Sequence, residues 1–148
     1  MAKNIVNYNR GRREFLEQLH QKGIFGLGAS IDNKEQALFL AALGCDTPVQ
    51  LSSKKDEGGW FRTESVVKYS RDVAMMSCIL LGTAATDDDY DKFSQLDAYM
   101  DHVEKCAESG FCIIERKLEE SGGDNQLLER RMLKELDLLY TTNVENNI

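Results

Sequence analysis

No stretch of this chain is apolar for long. Its longest uncharged run, Val73 to Thr86, has fourteen residues, too few to cross a bilayer and suited to a buried helix. The opening MAKNIVNYNRGRREF has charge but no apolar segment of the kind an export signal carries. No membrane association is therefore expected, and the expected compartment is the cytoplasm. Histidine is scarce, with two in 148 residues. The four cysteines, Cys45, Cys78, Cys106 and Cys112, form no CxxC pair; without an export signal they are expected to stay reduced. His102 and Cys106 are four apart on one helical face with Cys112 near, but a structural zinc needs four converging ligands. A Cys–His nucleophile would need an orienting group and an oxyanion hole that nothing marks. Neither metal nor cofactor is expected.

Two stretches invite a motif and fail it. Gly23 to Ser30 (GIFGLGAS) has three glycines, yet no Gly-Lys-Ser/Thr follows and the dinucleotide spacing is absent. Its Ile24, Phe25 and Leu27 are expected to tuck the loop onto the core. Asp87, Asp89 and Asp91 sit at the first, third and fifth positions of a calcium loop. Lys92 then stands where Gly is required and Ala98 where Glu is required. A capping box, with Thr86 as cap and Asp89 as its acid, fits better. With no catalytic constellation, the chain is not expected to be an enzyme.

A chain of this length fits one domain, expected over residues 1–140, with a polar, flexible tail over 141–148. Its apolar and charged fractions, 42% and 29%, are those of a globular protein. The charge is uneven. Residues 1–70 carry ten Lys+Arg and eight Asp+Glu (+2); residues 71–148 carry eight and seventeen (−9), together the net −7. A nonspecific nucleic-acid binder is usually basic overall, so that role is secondary to a protein partner.

The expected fold is mainly α: a compact helical domain with a small β-hairpin inserted after a central helix. That central helix is Ile31 to Gly44 (IDNKEQALFLAALG), apolar at every position from Ala37 to Leu43. A helix apolar all round must be covered all round. Asp32 or Asn33 is its expected N-cap and Gly44 its left-handed stop. Tyr8 to Lys22 reads as a first helix with Phe15, Leu16 and Leu19 inward. Ser70 to Leu81 reads as a second buried helix, stopped by Gly82 and packed directly on the central one. Leu96 to Ser109 is amphipathic, with Tyr99, Met100, Val103 and Ala107 inward and Gly110 as its stop. Phe111 to Glu120 reads as helix or strand. After the break Ser121 to Asn125, Gln126 to Tyr140 is a last amphipathic helix whose stripe of Leu128, Met132, Leu136 and Leu139 either closes the domain, the expected role, or docks a partner.

Between the central helix and Ser70, Pro48 to Ser52 and Gly59 to Glu64 alternate like strands, as a hairpin or two extended arms. Trp60 and Phe61 point to opposite faces there, one inward. Arg10, Arg12 and Arg13 crowd the start of the first helix, where cations oppose the dipole. With Lys54, Lys55, Arg62 and Trp60 they form the candidate contacts to nucleic acid or to a protein partner.

Three pieces in order, Lys34 to Phe39 with Ala42-Leu43-Gly44, then Gly59 to Glu64, then Asp72 to Met76, carry a family likeness. The chain resembles the small accessory proteins encoded beside DNA phosphorothioate-modification and restriction genes in bacterial defence clusters. In those, an apolar helix ending in Leu-Gly precedes a Phe-x-Arg-x-Glu-like segment and a second apolar helix. The likeness spans about residues 33–120 and includes the region from Tyr90 to Gly110. It departs after Leu-Gly, where Cys45-Asp46-Thr47 replace basic residues, which weighs against direct DNA contact. The resemblance implies a non-catalytic accessory or adaptor subunit of an anti-phage or DNA-modification system, bound to a larger protein partner. The alternatives are a nucleic-acid module using the basic N-terminal half, and a phage-encoded acidic inhibitor of a host defence protein.

Overall fold

The structure is a computed structural model that describes residues 4–21, 33–52, 54–55, 58–83, 91 and 94–146. The expectations for Gly23–Ser30, for Asp32 as a cap and for the Thr86–Asp89 capping box lie outside the described residues. Among those described, the chain is mainly α with one two-stranded antiparallel sheet, the expected class. In order the elements are β1 (Ile5–Val6), α1 (Arg12–Gln21), α2 (Asn33–Gly44), β2 (Phe61–Arg62), α3 (Glu64–Val67), α4 (Ser70–Thr83), α5 (Leu96–Glu120) and α6 (Asn125–Asn146).

The centre is a crossing of α2 over α5. Ala37, Leu38, Leu40 and Ala41 of α2 are buried, as are Met100, Val103, Cys106, Ala107 and Phe111 of α5. Only Ala42 among the seven apolar residues of α2 is exposed. Two glycines set how close the helices come. A Cβ on Gly110 would lie 2.1 Å from the Leu40 carbonyl oxygen, and one on Gly44 would lie 2.2 Å from the Cys106 carbonyl oxygen and 2.4 Å from the Gly110 nitrogen. Backbone meets backbone there, which only a residue without a side chain permits.

This corrects the reading of Gly110 as a stop and of Gly44 as a left-handed one. Gly44 is the last residue of α2 but is not among the left-handed glycines. Gly110 lies inside α5, which runs unbroken through Phe111 to Glu120. The likelihood of a glycine ending a helix is a local matter; here the close approach of a second helix is what it serves. The second rod of the core is accordingly α5, not α4. Only part of α4 is inward: Met76, Ile79 and Leu80 are buried, while Val73, Met75 and Cys78 are exposed. The helix also passes Gly82 to reach Thr83. It packs on α2 as expected, Met76 and Ile79 joining the apolar cluster of Leu38, Leu40 and Ala41, and Lys34 Nζ meets the buried Asp72 carboxylate at 2.8 Å. Lys34 also donates to the Ser65 carbonyl and lies 4.0 Å from the Tyr69 ring centre.

A small two-stranded sheet is present as expected and one of its strands follows the central helix, but that strand, β2, finds its partner at the N-terminus. Ile5 pairs with Arg62 and Val6 with Phe61. The arm continues through a bridge between Asn9 and Lys55, and Asn9 Oδ1 accepts from the Ser52 amide at 2.9 Å. Tyr8 thus belongs to an extended arm, and α1 begins at Arg12, not Tyr8. The arm is tied to α5, since the Asn7 amide donates to the buried Glu104 carboxylate at 2.6 Å. Pro48 to Ser52 forms no strand, but the segment after α2 is tied to α5 too: the Val49 amide donates to the Lys105 carbonyl, and the Thr47 and Ser109 hydroxyls bond each other at 2.9 Å.

A tight turn reverses α5 into α6. Gly122 and Gly123 take positive φ values of 63° and 77°, and the Asp124 carboxylate caps α6 by accepting from the Leu127 amide at 3.1 Å. Leu128 and Met132 close on the core, and Lys117 Nζ meets the Glu135 carboxylate at 2.7 Å. The residues expected as a flexible tail continue as helix to Asn146.

Candidate interaction surface

Of the basic candidates, Arg12 is spent inside the molecule. Its side chain is 14% exposed. Nε and Nη2 fork onto the Glu108 carboxylate, the shortest contact being 2.6 Å, and Nη1 reaches Glu115 at 2.8 Å. The guanidinium also stacks 5.0 Å from the Phe111 ring centre. Burial opposes its charge, but the hydrogen bonds and charges of Glu108 and Glu115 outweigh that and hold its pKa above the ordinary arginine range. An arginine that opposes the dipole of its own helix is here a clamp between α1 and α5.

Trp60 is likewise interior rather than a contact surface. It is 5% exposed and its ring lies 5.0 Å from Tyr8 and 5.5 Å from Phe111, centre to centre. Phe61 is the half-buried neighbour. Arg13 is exposed and donates to the Tyr8 hydroxyl at 2.9 Å. The remaining candidates divide. Arg10, Lys54 and Lys55 are exposed together on the edge of the N-terminal arm, joined by the Arg10 amide to Lys54 carbonyl bond. Arg62 stands at the other end of the arm, 3.8 Å from Glu64. The structure therefore does not gather the seven residues into one site.

No family model, curated protein or solved structure matches this chain. The site must be argued from its own residues. A hollow of about 360 Å³ borders Tyr8, Arg13, Glu17, Asn33, Gln36 and Trp60, with neither histidine nor cysteine among the described residues that line it. No group of three His, Cys, Asp or Glu side chains that could hold a metal ion occurs among the described residues. His102 and Cys106 share α5, but Cys106 is fully buried, and burial together with the nearby Cys45 pushes its thiol up to about 12. Burial and Glu108 also hold the exposed Cys112 above its ordinary range. A thiol so held is a poor nucleophile at neutral pH. Among the described residues no helix is long and apolar enough to cross a membrane.

What stands out is uncovered apolar surface. The stripe expected to close the domain is covered only in its first half, at Leu128 and Met132. Beyond it Leu133, Leu136, Leu138, Leu139 and Tyr140 are exposed, from 58% for Leu138 to 71% for Tyr140, and Val144 less so. Leu136 and Leu139 continue the three–four spacing of the buried residues, and Leu133 and Tyr140 flank them on one side. Large apolar side chains adjoining in this way mark a surface meant to be covered. A second, smaller patch joins Ile5, Val67 and Leu96, with Arg62 and Glu64 at its rim. The amphipathic period of α6 was readable; that half of its stripe lies in water was not.

Proposed function

We propose that this chain is a non-catalytic accessory or adaptor subunit of a bacterial anti-phage defence or DNA-modification system, acting in the cytoplasm through protein–protein contacts. The observation that carries the reading is apolar surface that its own domain leaves uncovered, in the second half of α6 and in the Ile5, Val67 and Leu96 patch. The sequence likeness to accessory proteins of phosphorothioate-modification clusters supplies the setting. The clamp of Arg12, Glu108 and Glu115 supports it by spending charged side chains on rigidity rather than on a reaction. Co-expression with the proteins encoded beside it, followed by size-exclusion chromatography, tests the reading. A larger protein co-eluting in fixed ratio is the expected result; recovery of this chain free of every such protein overturns it.

A second reading has one observation in its favour. The backbone bond from Arg10 to Lys54 and the bridge to Lys55 hold three cations on one exposed edge, and such an edge suits a phosphate backbone. Fluorescence anisotropy with a labelled duplex at low salt decides it: binding that weakens steeply with salt supports this reading, and no binding ends it.

A further inference from the structure

We propose that the second half of α6 pairs with the same segment of a second copy of this chain, antiparallel, about a two-fold axis between Asp137 and Leu138. The proposal rests on reading α6 as a contact surface and names the occupant of that surface.

The argument is one of register. Residues 125, 129, 132, 136, 139, 143 and 146 follow the alternating three- and four-residue spacing of a helix–helix contact line. The first part of this line faces the body, where Asn125 and Glu129 are half-buried and Met132 is buried. Only Leu136 and Leu139 remain as an open apolar pair on it. In an antiparallel pair about the stated axis, Leu136 of each copy meets Leu139 of the other (136 + 139 = 275). The flanking residues obey nearly the same sum, so Leu133 of each copy meets Tyr140 of the other (133 + 140 = 273). Four exposed residues thus satisfy one another with a single operation, as an isologous interface requires. On the opposite flank Glu135 faces Thr142, so no like charges oppose each other, and Glu135 is already neutralised by Lys117.

The alternative parallel pairing is disfavoured. The first half of each α6 is occupied by its own domain, so a parallel pair would bring both bodies to the same end. The antiparallel pair sets them at opposite ends. The area is sufficient: the exposed apolar side chains amount to on the order of 500 Å² per copy, about 1,000 Å² for the pair, the threshold of a specific interface. A two-fold adaptor of this kind would leave the Ile5, Val67 and Leu96 patch of each copy free for the larger partner.

Sedimentation velocity on the full chain from about 1 to 100 μM tests the proposal, with far-ultraviolet circular dichroism confirming that each variant is folded. A concentration-dependent dimer is expected. Leu136→Asp, at a position exposed in the single chain, leaves the fold intact and weakens the dimer by about 100-fold or more. Leu133→Lys and Tyr140→Glu each weaken it about tenfold, and the double variant L133K/Y140E, which sets opposite charges across the axis, restores most of the loss. A chain that stays monomeric at 100 μM, a dimer indifferent to Leu136→Asp, or a double variant no better than the singles overturns the proposal. A monomer that still co-elutes with a larger protein overturns this pairing and leaves the adaptor reading standing. A dimer that meets no larger protein does the reverse.

Discussion

Replacing Gly110 with alanine inverts what a helix-propensity argument expects. At an exposed helix interior, Gly→Ala stabilises by about 1 kcal/mol. Gly110, however, faces the Leu40 backbone, where the added Cβ would sit 2.1 Å from the carbonyl oxygen, against the 3.0 Å below which such contacts essentially never occur. The helices must part by about 0.9 Å (3.0 − 2.1) at their crossing, and neither obstacle is a side chain that rotates away. A gap of that size forfeits a quarter to a half of the dispersion attraction across it. The contacts affected include Leu38, Leu40, Ala41, Val103, Ala107 and Phe111, all buried. Overpacking of this kind costs about 1–3 kcal/mol and more where the backbone itself is displaced. After the propensity gain, Gly110→Ala is expected to destabilise by about 2–3 kcal/mol, a large share of the roughly 5–15 kcal/mol that holds a domain together. Urea unfolding followed by the fluorescence of Trp60, the single and buried tryptophan, measures it. The midpoint should fall with the slope unchanged. Gly44→Ala should act in the same direction, and the double variant should lose less than the sum, because one separation relieves both clashes. A Gly110→Ala protein as stable as the parent, or more so, would refute the close crossing.

Three further outcomes follow from the same core. Arg12→Met leaves the Glu108 carboxylate, 5% exposed, without its cation; a loss of about 3–5 kcal/mol is expected in urea unfolding, and one under 1 kcal/mol would show that the clamp is solvent-screened. Cys106 should resist a thiol reagent in the native protein at pH 8 while the exposed Cys78 reacts, and it should react once urea unfolds the chain; equal native rates would contradict its burial. Because the folded Cys106 thiol titrates near 12 against an ordinary value of 9.0, the unfolded chain releases its proton first. That residue's contribution is intact below pH 9 and is lost as pH rises from 9 toward 12, so Cys106→Ala should flatten the fall of stability across that window. An unchanged slope would remove the assignment.

Much of the helical layout was legible because it is local. The all-apolar run of α2 and the Met100, Val103 and Ala107 face of α5 announce burial by composition and period, and both are buried. The break at Ser121–Asn125 was equally plain, since glycines with positive φ and an aspartate cap act within a few residues. The candidate contacts fared differently. Trp60 and Arg12 carry chemistry that suits either a surface or a core, and partners far away in sequence, Tyr8 and Phe111 for Trp60 and Glu108 for Arg12, decide for the core.

By itself, then, the sequence determined that this protein is mainly helical, which residues are apolar enough to need cover, and where its clearest chain reversal falls. Only tertiary structure decided that α5, more than α4, covers α2, that β2 pairs with the N-terminus, that Gly44 and Gly110 are points of contact between helices, and that half of α6 is left in water. The physical reason is that a periodic pattern records the face a helix must hide, whereas what hides it is supplied by backbone and side chains a hundred residues away.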